Sequence, residues 1–191
     1  MDATQIICDA LARGELGLDD LTARRLGAYL GKTTSVLYHH WGSLDGFLFG
    51  VAQRGFERLG EVLARAASGA TLADVAEAYV RFGLDHPTLY ALMLERRYDW
   101  DGLRRAGAFE QARPSRVLWQ ILISRLAAAG AVDPDGDARI LFAAVHGLVS
   151  LALSGRANAG ALDQSDEEVA VTAARKLALR LCPHPHQGDL S

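Results

Sequence analysis

Apolar side chains recur at helical spacing along almost the whole chain, and this periodicity constrains the fold more than any other feature. Leu44, Phe47 and Val51, for example, are spaced so that they share one face of a helix. No run shows the alternation of apolar and polar residues that is typical of a half-buried strand. The pattern predicts an all-α protein.

Composition indicates a globular chain that works in the cytoplasm. The 191 residues are 50% hydrophobic and 23% charged, which is enough to build one domain, or a small head on a larger body. The net charge of −3 argues against a polybasic protein. Cys8 and Cys182 lack the spacing of a disulfide framework or zinc site, and no secretory signal is recognisable. We therefore expect a cytoplasmic location.

The stretch 140–155 is the only candidate for a membrane span. It has no formal charge, but it is shorter than the roughly 20 apolar residues that a span requires. Because residues 137–154 are apolar around most of the helix circumference, we predict a helix that is buried on more than one side. The prediction is therefore a core helix of a soluble protein.

Local signals predict where several helices of the body begin and end. Thr71 with Asp74, and Ser165 with Glu168, have the spacing of capping boxes. Pro87 can occupy the first position of a helix. We expect an irregular stretch at residues 98–107, a turn at residues 133–136 and a last helix at residues 165–182.

Residues 18–49 contain the most specific signal, LDDLTARRLGAYLGKTTSVLYHHWGSLDGFLF. Thr22 can cap one helix, Gly31 can end it in a left-handed conformation, and Thr33 can cap a second, short helix. Val36 and Leu37 then face inward, and small polar residues face outward. Two short helices joined by a tight turn predict a helix-turn-helix, whose second helix fits the major groove of DNA.

The order of residues from Thr22 to Ser43 resembles the amino-terminal domain of the tetracycline-repressor (TetR) family of transcriptional regulators. The resemblance implies an N-terminal three-helix helix-turn-helix head joined to a helical-bundle ligand-binding and dimerisation body. We place the DNA-binding domain at residues 1–46, the ligand-binding and dimerisation domain at residues 47–183 and a C-terminal tail at residues 184–191. The implied function is a dimeric repressor that a small apolar or aromatic effector releases from its operator.

The resemblance also implies a set of residues that contact double-stranded DNA. We expect base contacts from Thr34, Ser35 and His39, and phosphate contacts from Tyr38 and His40. Arg24 has a position that sometimes reaches a base, whereas Arg25 is equally well read as a solvated charge. The complete predicted set is Thr22, Arg24, Arg25, Lys32, Thr33, Thr34, Ser35, Tyr38, His39 and His40.

Two features of the head favour a competing hypothesis. Leu44 stands where the family usually has a lysine that touches a phosphate, and residues 1–50 carry four cations against six carboxylates, a net charge of −2. Fewer cationic contacts predict weaker, less salt-sensitive binding to DNA. The alternative is therefore a helical small-molecule-binding or interaction protein of the same fold with weak or lost DNA binding.

In the body, aromatic residues with a few polar groups predict an effector site in the helical bundle. The candidates are Tyr79, Phe82, His86, Tyr90, Arg97, Trp100, Trp119 and His146. For the homodimer interface we expect stripes of small and apolar residues on the last two helices, namely Ala143, Gly147, Ser150, Ser154, Ala170, Ala173, Ala174, Leu177 and Leu181.

Motifs for other chemistry are weak. The segment CPHPH at residues 182–186 has potential metal ligands, but a chain end held extended by prolines disfavours a site. The sequence has no glycine-rich phosphate loop, no G-x-S-x-G and no H-E-x-x-H motif. We expect no enzyme activity, no cofactor and no metal.

Overall fold

The structure, a computed structural model, describes residues 2–67, 71–105, 107, 114–160 and 163–181. Segment 182–186 and the predicted tail lie outside the described residues. Within them the chain forms ten α-helices, one 3-10 turn and no strand, which confirms the all-α prediction. The elements are α1 (Ala3–Ala12), the 3-10 turn (Leu18–Asp20), α2 (Ala23–Leu30), α3 (Thr34–Trp41), α4 (Leu44–Ala67), α5 (Leu72–Asp85), α6 (Pro87–Leu94), α7 (Trp100–Arg105), α8 (Pro114–Ala128), α9 (Pro134–Leu153) and α10 (Asp166–Leu181).

Both predicted capping boxes are present. At the start of α5, the Thr71 hydroxyl accepts the Asp74 N–H at 3.4 Å, and the Asp74 carboxylate accepts the Thr71 N–H at 2.8 Å. At the start of α10, the Ser165 hydroxyl accepts the Glu168 N–H at 3.1 Å, and the Glu168 carboxylate accepts the Ser165 N–H at 2.7 Å. Pro87 occupies the first turn of α6, as predicted. Local capping chemistry therefore determines these helix starts.

Two other helix starts differ from the prediction. The segment DPDG at residues 133–136, predicted as a turn, is the first turn of α9, because Asp133 caps the Gly136 N–H at 3.0 Å. The segment DWDG at residues 99–102, predicted as irregular, begins α7 in the same way, with Asp99 accepting the Gly102 N–H at 2.9 Å. In both segments an aspartate caps the N–H of a glycine three residues later, and a second aspartate between them is favoured by the positive end of the helix dipole. This signal was missed in the sequence.

By compactness the chain divides into two units, Met1–Gly60 with Asp85–Ser115, and Glu61–Leu84 with Arg116–Ser191. The first unit contains α6 and α7 in addition to the whole predicted head. Compactness does not define function, so the functional boundary that we place after residue 46 remains a prediction.

Each unit has its own apolar core. In the first unit, the His86 Nδ1 lies 2.9 Å from the Ala12 carbonyl oxygen and joins α6 to α1. In the second unit, the Arg175 guanidinium donates to Asp74 at 2.8 Å and to Glu77 at 2.5 Å, which joins α10 to α5. Fully buried side chains include Ile7, Leu11, Leu26, Leu37, Phe47, Leu48 and Tyr90 in the first unit, and Val75, Val80, Leu126, Ala138, Val149 and Ala178 in the second.

Helix α9 is less buried in the single chain than its sequence predicts. Its buried residues, Ala138, Leu141, Val145 and Val149, form one stripe along the helix. Ile140, Leu151 and Leu153 remain 42–54% exposed. The prediction of burial on more than one side is therefore wrong for the chain alone. By length and composition, α9 is also the one described helix that could cross a membrane, and 22% of its most apolar stretch is buried inside the structure.

Candidate nucleic-acid interface

Helices α2 and α3 form the predicted helix-turn-helix. The Thr22 hydroxyl accepts the Arg25 N–H at 3.4 Å and caps α2. Gly31 ends α2 with φ of +62°, a conformation that side chains with a Cβ rarely adopt. Thr33 precedes α3 as predicted, but its hydroxyl makes no capping hydrogen bond, so that part of the prediction is wrong. Thr33 as a residue is instead exposed.

Helix α3 has one buried side chain and a broad exposed face. Leu37 is 1% exposed and fixes the helix against the head, while Val36 is half-buried. The residues of α3 that are predicted to contact DNA are all exposed: Thr34, Ser35, Tyr38, His39 and His40. This face therefore presents hydroxyl and imidazole groups, which can donate hydrogen bonds to base edges and phosphates or accept them.

The carboxyl end of α3 is packed directly on the first turn of α4. The Trp41 ring meets the Phe47 ring edge-to-face at a centroid distance of 4.8 Å, and Phe47 is fully buried. A Cβ added to Gly46 would lie 2.2 Å from the Trp41 carbonyl oxygen, so only glycine allows this approach. The Ser43 hydroxyl accepts the Gly46 N–H at 2.9 Å and caps α4. Trp41 itself is half-buried, and the role of Gly46 was missed in the sequence.

Most acidic side chains of the head are paired with arginine. Within residues 1–50, Asp2 pairs with Arg54, Asp9 with Arg58, Glu15 with Arg13, Asp20 with Arg25 and Asp45 with Arg96. Three of these arginines lie outside residues 1–50, so a charge count over that range overstates how acidic the head is. Exposed pairs of this kind add little stability, but they neutralise charge locally.

Among the predicted cationic contacts, Arg24 and Lys32 are exposed and have no ion-pair partner among the described residues. Arg25 is exposed as well, but its guanidinium pairs with Asp20. The Gly17 N–H and this guanidinium both donate hydrogen bonds to the Asp20 carboxyl and lower its pKa. Arg24 and Lys32 are therefore better placed than Arg25 to meet a phosphate.

The predicted effector residues are divided between the two units. His86, Tyr90, Arg97 and Trp100 lie in the first unit, and Tyr79, Phe82, Trp119 and His146 lie in the second. Tyr79, Phe82 and Tyr90 are at most 4% exposed, whereas Trp100 is 48% exposed. Each unit therefore holds part of the predicted set.

In the second unit, three of the predicted residues meet around a fourth aromatic side chain. Phe142 has ring centroid distances of 6.0 Å to Tyr79, 6.0 Å to Trp119 and 6.3 Å to His146. We call these four residues the aromatic cluster. Phe142 was missed in the sequence, although its spacing of four from His146 along α9 could have identified it.

Polar groups border the aromatic cluster at Trp119. The indole N–H donates to Asp135 at 3.2 Å, and the Arg139 guanidinium lies 5.2 Å from the indole centroid. Arg139 also pairs with Asp135. The edge of the cluster thus offers one cation and one carboxylate next to an indole ring.

The predicted interface residues differ in exposure. On α9, Ala143, Ser150 and Ser154 are exposed, and a Cβ added to Gly147 would meet nothing within 4 Å. On α10, Ala173, Leu177 and Leu181 are half-buried. Ala170 and Ala174, however, are fully buried within the chain, so they cannot contact a partner, and we remove them from the predicted interface.

The described part of the chain holds no group of three or more His, Cys, Asp or Glu side chains that could hold a metal ion. Cys8 is buried, and its burial raises the pKa of the thiol to about 11. Since the thiolate is the reactive form, this buried thiol, which stays protonated at neutral pH, serves as a core residue.

Comparison with known proteins adds two similarities. Residues 72–176, more than half of the chain, match the family described as "Tetracyclin repressor-like, C-terminal domain". A solved structure of a protein with unknown function from Rhodococcus sp. RHA1 is similar over 96% of this chain and 97% of that one, with 26% identity and a TM-score of 0.66. No curated protein matches the sequence.

Proposed function

The chain belongs to the tetracyclin repressor-like family, and on that basis we propose that it is a ligand-responsive transcriptional repressor. In this proposal it acts in the cytoplasm and binds an operator as a homodimer through α2 and α3. A small apolar or aromatic effector then weakens the binding. The protein performs no catalysis and requires no cofactor.

The proposal of DNA binding rests on the exposed face of α3. An α-helix fits the major groove, which is about 12 Å wide, only if its outer face is free of packing contacts. In α3 only Leu37 is buried, and the remaining side chains from Thr34 to His40 are exposed except for half-buried Val36. Arg24 and Lys32 supply exposed positive charge for phosphates.

The exposed apolar side of α9 supports the homodimer. Leu151 and Leu153 are 46% and 42% exposed in the single chain, and the small residues Ala143 and Ser150 lie between them and the start of the helix. A second copy that covers these residues would remove apolar surface from water and bring helix backbones close together. Two copies of α9 and α10 would then form a four-helix interface.

The aromatic cluster supports an effector that is itself apolar or aromatic. An effector changes DNA binding only if it has different affinities for two conformations of the protein. Tyr79 and Trp119 meet the Phe142 ring edge-to-face and His146 stacks on it, so the cluster presents ring faces and edges against which a planar apolar molecule can pack. The Arg139 and Asp135 groups at the edge of the cluster are available for one polar group of that molecule.

A gel-shift titration with the DNA that flanks the protein's own gene tests the proposal. We expect sequence-specific binding by the wild type, and the triple substitution of Thr34, Ser35 and His39 by Ala should abolish it at about 1–3 kcal/mol per base contact. The matched control replaces Thr172 and Lys176, which are exposed on α10, by Ala and should bind normally. Equal affinity of the triple variant and the wild type would contradict the assignment of α3. If the wild type itself shows no sequence-specific binding, the result favours the alternative function, a small-molecule-binding or interaction protein of the same fold.

A further inference from the structure

The segment between α6 and α7 is fastened to the first turn of α4. The Arg96 guanidinium donates to Asp45 Oδ1 at 2.7 Å, and the Asp99 N–H donates to Asp45 Oδ2 at 3.1 Å. Both oxygens of one carboxylate are thus held by residues 51 and 54 positions later in the chain. Such a contact restricts the position of the helix start far more than a single exposed ion pair does.

An aromatic contact continues this attachment along α4. The Phe49 ring lies 5.8 Å from the Tyr98 ring and 6.0 Å from the Trp100 ring, in edge-to-face geometry. Tyr98 is buried and donates its hydroxyl hydrogen to the Leu92 carbonyl at 2.8 Å. The Arg96 guanidinium lies 5.6 Å from the Tyr98 ring centroid. Segment 96–100 therefore holds the first two turns of α4 by an ion pair and by ring packing.

The same turn of α4 supports the end of α3. Gly46 follows Asp45 directly and lies against the Trp41 carbonyl, and Phe47 packs on the Trp41 ring. Since α3 ends at Trp41, a movement of the Asp45 backbone cannot leave α3 unchanged. Close-packed contacts of this kind transmit displacements rather than absorb them.

The hydrogen bonding of Arg96 is incomplete. Its Nε is buried and has no hydrogen-bond partner among the described residues. A buried donor without an acceptor destabilises the arrangement that contains it. The attachment is therefore easier to release than one in which every guanidinium N–H is bonded.

We propose that Arg96 is a positioning residue for DNA binding, which acts through Asp45 to fix the first turn of α4 and, through Trp41, the recognition helix α3. This inference rests on the proposed function. It assigns to the segment between α6 and α7, which lies outside the helix-turn-helix, a hold on the DNA-binding surface that acts through the first turn of α4.

The test compares Arg96→Gln with Arg104→Gln, the matched control. Arg104 forms an exposed ion pair with Asp101 within α7, and the Asp45 carboxylate is bonded by Arg96 and the Asp99 N–H and not by Arg104. Hydrogen exchange without DNA is measured for α3, for the first turn of α4 and for α10. Affinity is measured with the duplex that flanks the protein's own gene.

For Arg96→Gln we expect exchange in α3 and the start of α4 to accelerate about tenfold, and DNA affinity to fall about tenfold, which corresponds to about 1.4 kcal/mol. Exchange in α10 should not change. Arg104→Gln should behave like the wild type in both measurements. The double variant Asp45→Asn with Arg96→Gln should bind DNA no more weakly than the worse of the two single variants, because the two substitutions remove the same interaction.

Arg96→Lys keeps the positive charge but loses the planar group over Tyr98. It should restore most of the exchange protection that Arg96→Gln loses. If Arg96→Gln does not fold, Asp45→Asn, which alters the acceptor of the same contact, serves as the test variant. Exchange in α3 that is identical in Arg96→Gln and Arg104→Gln would overturn the inference. If the wild type does not bind the duplex, the proposed function fails, and the exchange measurement still decides whether Arg96 positions α3.

Discussion

Gly46 offers a sharp test of how closely α3 is packed on α4. The substitution Gly46→Ala adds one methyl group at a point 2.2 Å from the Trp41 carbonyl oxygen and 3.3 Å from its carbon. Both atoms belong to the backbone, so no side-chain rotation can relieve the contact. Either α3 or the first turn of α4 must move.

Two opposing effects determine how much Gly46→Ala changes the free energy of unfolding. Replacing glycine by alanine within a helix stabilises by about 0.5–1 kcal/mol, because the unfolded chain loses freedom. Inserting a methyl group into a packed contact costs about 1–3 kcal/mol, and a clash with backbone favours the upper half of that range. We therefore expect a net loss of about 1–2.5 kcal/mol, or about 2–10 °C in Tm for a chain of this size.

Denaturant and thermal unfolding followed by circular dichroism measure this loss. Ala64→Gly is the control, because Ala64 is exposed on α4 and the change reports helix propensity alone. The control should lower stability by up to about 1 kcal/mol. If Gly46→Ala is as stable as the wild type, or more stable, the close approach of α3 and α4 does not exist as described.

Four further predictions follow from the remaining features. Leu44→Lys should tighten binding to the flanking duplex and steepen its dependence on log salt concentration by about one unit, and an unchanged slope would contradict a phosphate at this position. Gly147→Arg should convert the dimer to a monomer or aggregate in sedimentation, whereas a monomeric wild type at micromolar concentration would refute the interface. Hydrogen bonds, chiefly from Thr71, lower the pKa of Asp74 from 3.8 to about 2, so its stabilisation is present above the ordinary value and lost as pH falls through the lower one. Asp74→Asn should therefore reduce the fall in the free energy of unfolding between these two pH values, and an unchanged fall would contradict this role of Asp74. Trp119→Ala should reduce the release of DNA by lipophilic compounds without altering DNA affinity in their absence.

Local chemistry made much of the fold predictable. Thr71, Ser165 and Pro87 mark helix starts through bonds that span at most three residues, and Gly31 marks a turn through its own backbone. Leu37 and the polar residues around it could be assigned to opposite faces of α3 because a helix has a fixed period. The helix-turn-helix was therefore visible before any tertiary contact was known.

Contacts between distant residues were not predictable in this way. Nothing near Asp45 indicates that Arg96 and the Asp99 N–H hold its carboxylate. The apolar pattern of α9 likewise could not distinguish burial within the chain from burial against a partner, because both require the same side chains. Ala170 and Ala174 were assigned to the interface for that reason, although they pack inside the chain.

The pairing of acidic side chains in the head with distant arginines determines whether the head can be used as a separate module. A fragment cut after residue 50 would lose Arg54, Arg58 and Arg96 and leave Asp2, Asp9 and Asp45 without counter-charge. Such a fragment would repel the phosphate backbone more strongly than the intact protein does. Grafting this recognition helix onto another scaffold would therefore require the arginines to be transferred with it. Weak DNA binding by the fragment would not report the operator affinity of the whole chain.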